Sequence, residues 1–208
     1  MLRFFYENMV FNRVRRTQKM MRLGLGLLTY SWAIFSASLI WAEDIPVIDL
    51  SQVESKETVD RREDLSPQAW RMAVFFARDT SITDLSIGHA YVALLTFRED
   101  TESFVTDGVF GLYPDKDEKF SLGKMPGGID LRPLDERPDS ALLVWINPAQ
   151  HQAIEEIAQK FEKAGEYQLL LNDCVSLMSE VATAAGLTKS PITLHPWAYV
   201  NDLMFLNN

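Results

Sequence analysis

The fold turns on one stretch, YQLLLNDCVSLMSEVATAAGL, residues 167–187. Residues 167–171, a tyrosine, a glutamine and three leucines, read as a short strand. Asn172 and Asp173 are both good helix caps and Gly186 is a good terminator, so a helix follows at once from about Cys174 to Ala185. The spacing 174, 178, 181, 185 puts Cys174 on the face shared with Met178, Val181 and Ala185, which points its sulfur inward. A strand thus runs straight into a helix that opens on the single cysteine of the chain. Unpaired N–H groups and the dipole at a helix start stabilise a thiolate, and they can also receive the oxyanion of an acyl-transfer intermediate. The same placement also suits a small buried hydrophobe that closes the core.

Upstream, Asn147-Pro148 supplies a cap and a proline tolerated in the first turn. The helix it opens carries Ile154, Ile157, Ala158 and Phe161 on one face and ends at Gly165. Before it, ALLVWI (141–146) reads as a strand. Residues 114–138, with PGG, PLDERP and many charges, read as a long surface loop. HAYVALLTF (89–97) and SFVTDGVFGLY (103–113) read as strands joined by a hairpin turn at 98–102. WRMAVFFAR (70–78) is a buried strand or, counted from Ser66-Pro67, a short helix. Residues 43–69 form a polar lead-in, and the tail from 190 onward reads as loop and a short helix. The pattern is α+β, an antiparallel hairpin-built sheet packed against helices, and not alternating βαβ.

The whole chain has 208 residues, enough for a single domain with an extension, and 47% of them are hydrophobic. Its net charge of -9 argues against a nucleic-acid partner, which would need a basic footprint. One cysteine excludes an internal disulfide, a Cys-rich zinc site and an iron–sulfur cluster, and with no HExxH no metal or other cofactor is expected. The charge is unevenly spread. Residues 1–42 carry a net +5, the remainder a net -14, and residues 23–42 carry no charge at all. A basic stretch, an apolar run and small residues before Glu43-Asp44 have the layout of a signal peptide cleaved after Ala42, with Met20 or Met21 as alternative starts. Twenty apolar residues also suffice for an uncleaved membrane anchor. Either way the remaining 166 residues (43–208) are expected in the periplasm or outside the cell, as a lead-in (43–69) and one domain (70–208), with the anchor as the only membrane contact.

A thiol nucleophile needs a base that takes its proton and later returns it to the leaving group, and imidazole is the usual choice. His151 lies in the first turn of a charged helix and reads as a solvated surface group. His195, between Leu194 and Pro196, lines a cleft or sits on the surface. His89 follows a glycine and opens an apolar strand beside the proposed helix. Cys174 and His89 are therefore the candidate catalytic pair, with a structural histidine as the plain alternative.

GHAYVALL and YQLLLNDCVSLMSEVATAAGL resemble segments of the circularly permuted papain-like proteins of the NlpC type, a group that includes lecithin–retinol acyltransferase-like enzymes. In that group a Gly-His opens a strand first and an Asn-Cys-type motif starts a helix later. Gly88-His89 matches the first, and Asn172-Asp173-Cys174 looks like the second with one residue inserted. FGLYP (110–114) looks like a strand end seen in bacterial relatives. The resemblance spans roughly residues 70–205 and implies a cysteine peptidase or amidase. Its substrate would be a peptide, amide or acyl ester, cell-wall peptides among them, with acyl transfer as a variant. It also implies a third polar residue, often His, on the strand after His89, and no His occurs between 90 and 150. A hairpin folded near Asp100 places Gly111 opposite His89, with Tyr113 and Asp107 out of clear reach. The third position is therefore left open. Two other readings stand beside the enzyme: a non-catalytic binding module on the same fold, and an exported interaction protein with no small-molecule site.

Overall fold

The structure, a computed structural model, describes residues 53–61, 70–79, 88–115, 123–130, 137–191 and 195–208. The chain runs β1 (Ser55–Asp60), β2 (Arg71–Arg78), β3 (His89–Arg98), β4 (Ser103–Pro114), β5 (Met125–Asp130), β6 (Ser140–Ile146), α1 (Pro148–Ala164), β7 (Glu166–Tyr167), α2 (Cys174–Ala184) and α3 (Pro196–Asn207). The charge step and apolar run of residues 1–42 lie outside the described residues, as does most of the lead-in. Among the described residues no helix is long and apolar enough to cross a membrane.

The strands form one seven-stranded sheet in the order β1-β6-β2-β3-β4-β5-β7. β2 settles as a strand, held antiparallel between β3 and β6. Its six middle residues are all buried. A strand covered on both faces shows an unbroken apolar run, which is why periodicity alone does not separate it from a helix. On one face Phe75, Val92, Leu94 and Leu142 share a core with Ile154 and Phe161 of α1, Leu177 and Met178 of α2, and Tyr199 and Leu203 of α3. At the far end of the sheet Trp70, Phe97, Phe104 and Trp145 pack ring against ring, with centroids 5.1–5.7 Å apart.

The class is α+β, as the pattern implies, but the sheet is mixed and not purely antiparallel. β1 lies parallel to β6 from Ser55↔Ser140 to Asp60↔Trp145. Ser55–Asp60 carries no apolar alternation because it lies at the sheet edge, where among Lys56–Asp60 only Val59 is buried and main-chain hydrogen bonds hold the strand. β5 is the second departure, since it forms inside the segment read as a loop. Its PGG is needed for close approach: a Cβ on Gly127 would lie 2.5 Å from the Tyr113 carbonyl oxygen and 2.6 Å from the Tyr167 Cβ. Glycine lets β5 fit between β4 and β7.

Both helix boundaries near the site hold. Asn147 caps α1 in a reciprocal pair with Gln150, and Gly165 closes it in the left-handed conformation. Asp173, and not Asn172, caps α2. The strand read over 167–171 shortens to Glu166–Tyr167, and the chain then turns back tightly through a Gln168↔Asn172 bridge.

Candidate functional site

β3 begins immediately after Gly88, whose φ of 76° is a backbone conformation that a side chain would strain. His89 therefore stands at the first position of the strand, and it is 7% exposed. Its ring stacks on Tyr113 of β4 with centroids 3.9 Å apart and planes inclined by 30°. Beyond it on the same side of β3 come Tyr91 (6.4 Å between centroids) and, stacked on Tyr91, Phe76.

The ladder between β3 and β4 ends at Val92↔Phe110, and β4 pairs with β5 from Gly111 onward. The N-terminus of α2 comes up to this end of β3. The main-chain N–H groups of Ala90, Val175 and Cys174 are turned on the Cys174 sulfur, and each favours the thiolate. One of the three belongs to the residue that follows His89. The two candidate residues thus stand at the same end of β3 but on opposite faces of the sheet, the sulfur against the main chain of Ala90 in the helix-side core and the imidazole stacked with Tyr91 and Tyr113 on the other face, so the structure does not bring them together. Ala90 itself packs into the core that holds Cys174.

The ionisation of the thiol runs against what a helix start alone implies. Burial, and after it the Asp173 carboxylate, push Cys174 up from an ordinary 9.0 to about 12, and the three N–H groups only partly offset this. The helix start acts in the expected direction, but it is outweighed because Cys174 is only 5% exposed. A capping role is expected to turn Asp173 away from the sulfur. The carboxylate does cap: its Oδ1 accepts the Ser176 N–H (3.0 Å) and hydroxyl (3.1 Å), and its Oδ2 accepts the Leu170 N–H (2.7 Å). It nevertheless raises the neighbouring thiol, since buried charges one residue apart are poorly screened.

Tyr167 is a member of the site that the sequence reading misses. Burial first, then Cys174 and Asp173, raise its hydroxyl far above the ordinary tyrosine range, so the phenol stays protonated within electrostatic reach of both. The signal available is its place seven residues before the cysteine, in a strand otherwise rich in leucine.

Between Tyr167 and Asp173 the turn is strained. Leu170 has a φ of 70° and is half-exposed, and Leu171 beside it is 71% exposed. A left-handed leucine costs about 1–2 kcal/mol. Leu170→Gly is therefore expected to raise stability in urea by about 0.5–1 kcal/mol, whereas Leu170→Val should lower it; equal midpoints for all three proteins would show that the turn holds no strain.

Each of the other two histidines lies beside a carboxylate. His195 is the N-cap residue of α3 without a capping bond, and its Nε2 is 3.9 Å from Asp79 Oδ1. His151 is not the solvated group expected. Its side chain is only 12% exposed, with Nε2 3.0 Å from Asp107 Oδ2 and Nδ1 3.8 Å from Glu155. Asp107 also accepts the Thr96 hydroxyl. Among the described residues no group of three His, Cys, Asp or Glu is placed to hold a metal ion. Compared with known proteins, the chain matches no family model, no curated sequence and no solved structure.

Proposed function

We propose that the protein is an exported cysteine hydrolase of the permuted papain-like kind, with Cys174 as nucleophile and with His89 as general base and then acid, a role that requires its imidazole to turn from the Tyr91 side of β3 to the Ala90 side. The observation that carries the reading is the sulfur at a helix N-terminus, met by three main-chain N–H groups, one of them on the residue after His89. Because the thiol is held up at about 12, attack has to be coupled to proton transfer and does not start from a standing thiolate.

With the imidazole turned to the Ala90 side, the Cys174 proton passes to His89 as the sulfur bonds to the carbonyl carbon of an amide or ester. The intermediate collapses, the bond to the leaving group breaks, and His89 returns the proton to the departing amine or alcohol. Water then attacks the thioester and gives a proton to His89. The C–S bond breaks, the acid leaves and the sulfur is reprotonated. The main-chain N–H groups at the start of α2 and the protonated Tyr167 hydroxyl are the donors proposed for the oxyanion. Peptide amides, those of the cell wall included, and acyl esters are the substrate classes that the family resemblance adds.

A non-catalytic module on the same fold is the second reading, and it is favoured by the buried, protonated thiol and by the imidazole's place on the opposite face of the sheet. The two separate on acylation by p-nitrophenyl acetate, read by mass spectrometry at Cys174. The enzyme reading expects a Cys174 adduct, with His89→Ala slower by about 100-fold or more at neutral pH. No adduct, or equal rates in the two proteins, would overturn it in favour of the module.

A further inference from the structure

On the sulfur's side of the sheet another imidazole stands at the same end. Ala77 of β2 pairs with Ala90 of β3, and both belong to the core that holds Cys174. Residues two apart along a strand share a face, so Asp79 continues this side just past the end of β2. Its main chain is fixed there: the Asp79 N–H donates to Asp139 Oδ2 (2.7 Å), and the Asp139 N–H donates to the Ala77 carbonyl (2.9 Å). His195, at the head of α3, meets Asp79 with Nε2 3.9 Å from Oδ1. α3 packs over β2 and β6, beside α2 over β3 and β4. His195 and Cys174 therefore share one end and one face of the sheet, the face from which the His89 ring is turned away.

Separation decides what His195 can do. One strand spacing across and two residues along set the Ala90 and Asp79 main chains on the order of 8 Å apart. The sulfur lies against the first and the imidazole beside the second, so the gap between them is of that order. Direct proton transfer from the thiol needs about 2.6–3.2 Å and does not fit. A water between the two groups does fit: a C–S bond, an attack distance of about 3–3.5 Å and one hydrogen bond together span such a gap. Exposure agrees, since the His195 side chain is 38% exposed and sits on the open side of the buried cysteine. A carboxylate facing Nε2 draws the ring N–H to that nitrogen and leaves Nδ1 as an acceptor, and the side chain makes no capping bond to α3. We propose that His195 is a further catalytic residue, the holder of the water that hydrolyses the Cys174 thioester. This rests on the cysteine-hydrolase reading and adds a second histidine to it. Nδ1 accepts one hydrogen of the water, the oxygen bonds to the acyl carbon and the other proton passes to His89. The C–S bond then breaks, the acid leaves and His89 returns the proton to the sulfur.

The experiment separates the two half-reactions in the full-length protein. Release of p-nitrophenol from p-nitrophenyl acetate gives the acylation rate, and mass spectrometry follows loss of the acetyl group from Cys174. His195→Ala should acylate within about twofold of the parent but deacylate about 10- to 100-fold more slowly, so that the acetyl adduct accumulates. His195→Asn carries its amide oxygen where Nδ1 stood and should deacylate within about fivefold of the parent. Deacylation at the parent rate in His195→Ala overturns the role, and so does an equal loss in His195→Asn. A slowing of acylation as large as that of deacylation also overturns it, because a held water acts only in the second step. If His195→Ala does not fold, His195→Gln, whose amide group stands at the Nε2 position, replaces it as the variant without an acceptor at Nδ1. Failure of the underlying reading is distinguishable: the parent itself would then form no Cys174 adduct, whereas failure of the water-holding role alone leaves a parent that acylates, turns over and is matched by His195→Ala.

Discussion

Raising the pH from about 9 to about 12 should cost the folded protein on the order of 4 kcal/mol through Cys174 alone. In the unfolded chain the thiol ionises from its ordinary 9.0, whereas in the fold burial and Asp173 hold the proton to about 12. Between these values the unfolded state binds fewer protons, so stability falls with pH by up to about 1.4 kcal/mol per unit. Below pH 9 both states keep the proton and the thiol contributes no slope; its share is fully present there and is lost as the pH climbs towards 12. Tyr167 acts in the same direction from 10.0 upward, because its folded form also resists ionisation. Urea midpoints measured from about pH 8 to about pH 11.5 on the parent and on Cys174→Ala check this. The variant should fall less steeply, and the two curves should converge or cross as pH rises. Parallel curves would show that the sulfur is not kept protonated in the fold.

Replacing Asp173 should produce the other large effect, and it should move stability and reactivity in opposite senses. In Asp173→Ala the Leu170 N–H, the Ser176 N–H and the Ser176 hydroxyl all lose their acceptor. Loss of a cap costs about 1 kcal/mol, and each buried donor left unpaired adds about 1–3 kcal/mol. A total of roughly 2–4 kcal/mol is expected once water reaches part of the turn. The same change removes the carboxylate that, after burial, holds the thiol up, so Cys174 should ionise at lower pH than in the parent. Asp173→Asn keeps one acceptor oxygen for the cap and should recover part of the stability while still lowering the thiol. Urea unfolding reads the first effect, and the pH dependence of alkylation by iodoacetamide reads the second. A destabilised Asp173→Ala protein whose alkylation profile matched the parent would show that the carboxylate caps without acting on the sulfur.

These effects separate what is legible along the chain from what is not. The caps Asn147 and Asp173, the terminator Gly165, the apolar face Ile154–Ala158–Phe161 and the inward-pointing Cys174 are local facts, each decided within a few residues by hydrogen-bonding chemistry and helical period. The hairpin of β3 with β4 and the placing of Gly88-His89 at the head of a strand are legible for the same reason. The parallel β1–β6 pair and β5 are not, because at a sheet edge pairing depends on the neighbour, and a PGG that marks a turn in sequence also permits close packing between strands. His151 reads as a surface group until β4 bulges towards it. Tyr113 reaches His89 only because one extra residue shifts the register, and nothing in residues 103–113 marks which residue is extra. The ionisation of Cys174 depends most of all on tertiary structure. The helix start, visible in sequence, favours the thiolate. Burial and the neighbouring carboxylate oppose it and prevail, because desolvation depends on every group packed around the sulfur, and only the folded chain assembles those groups.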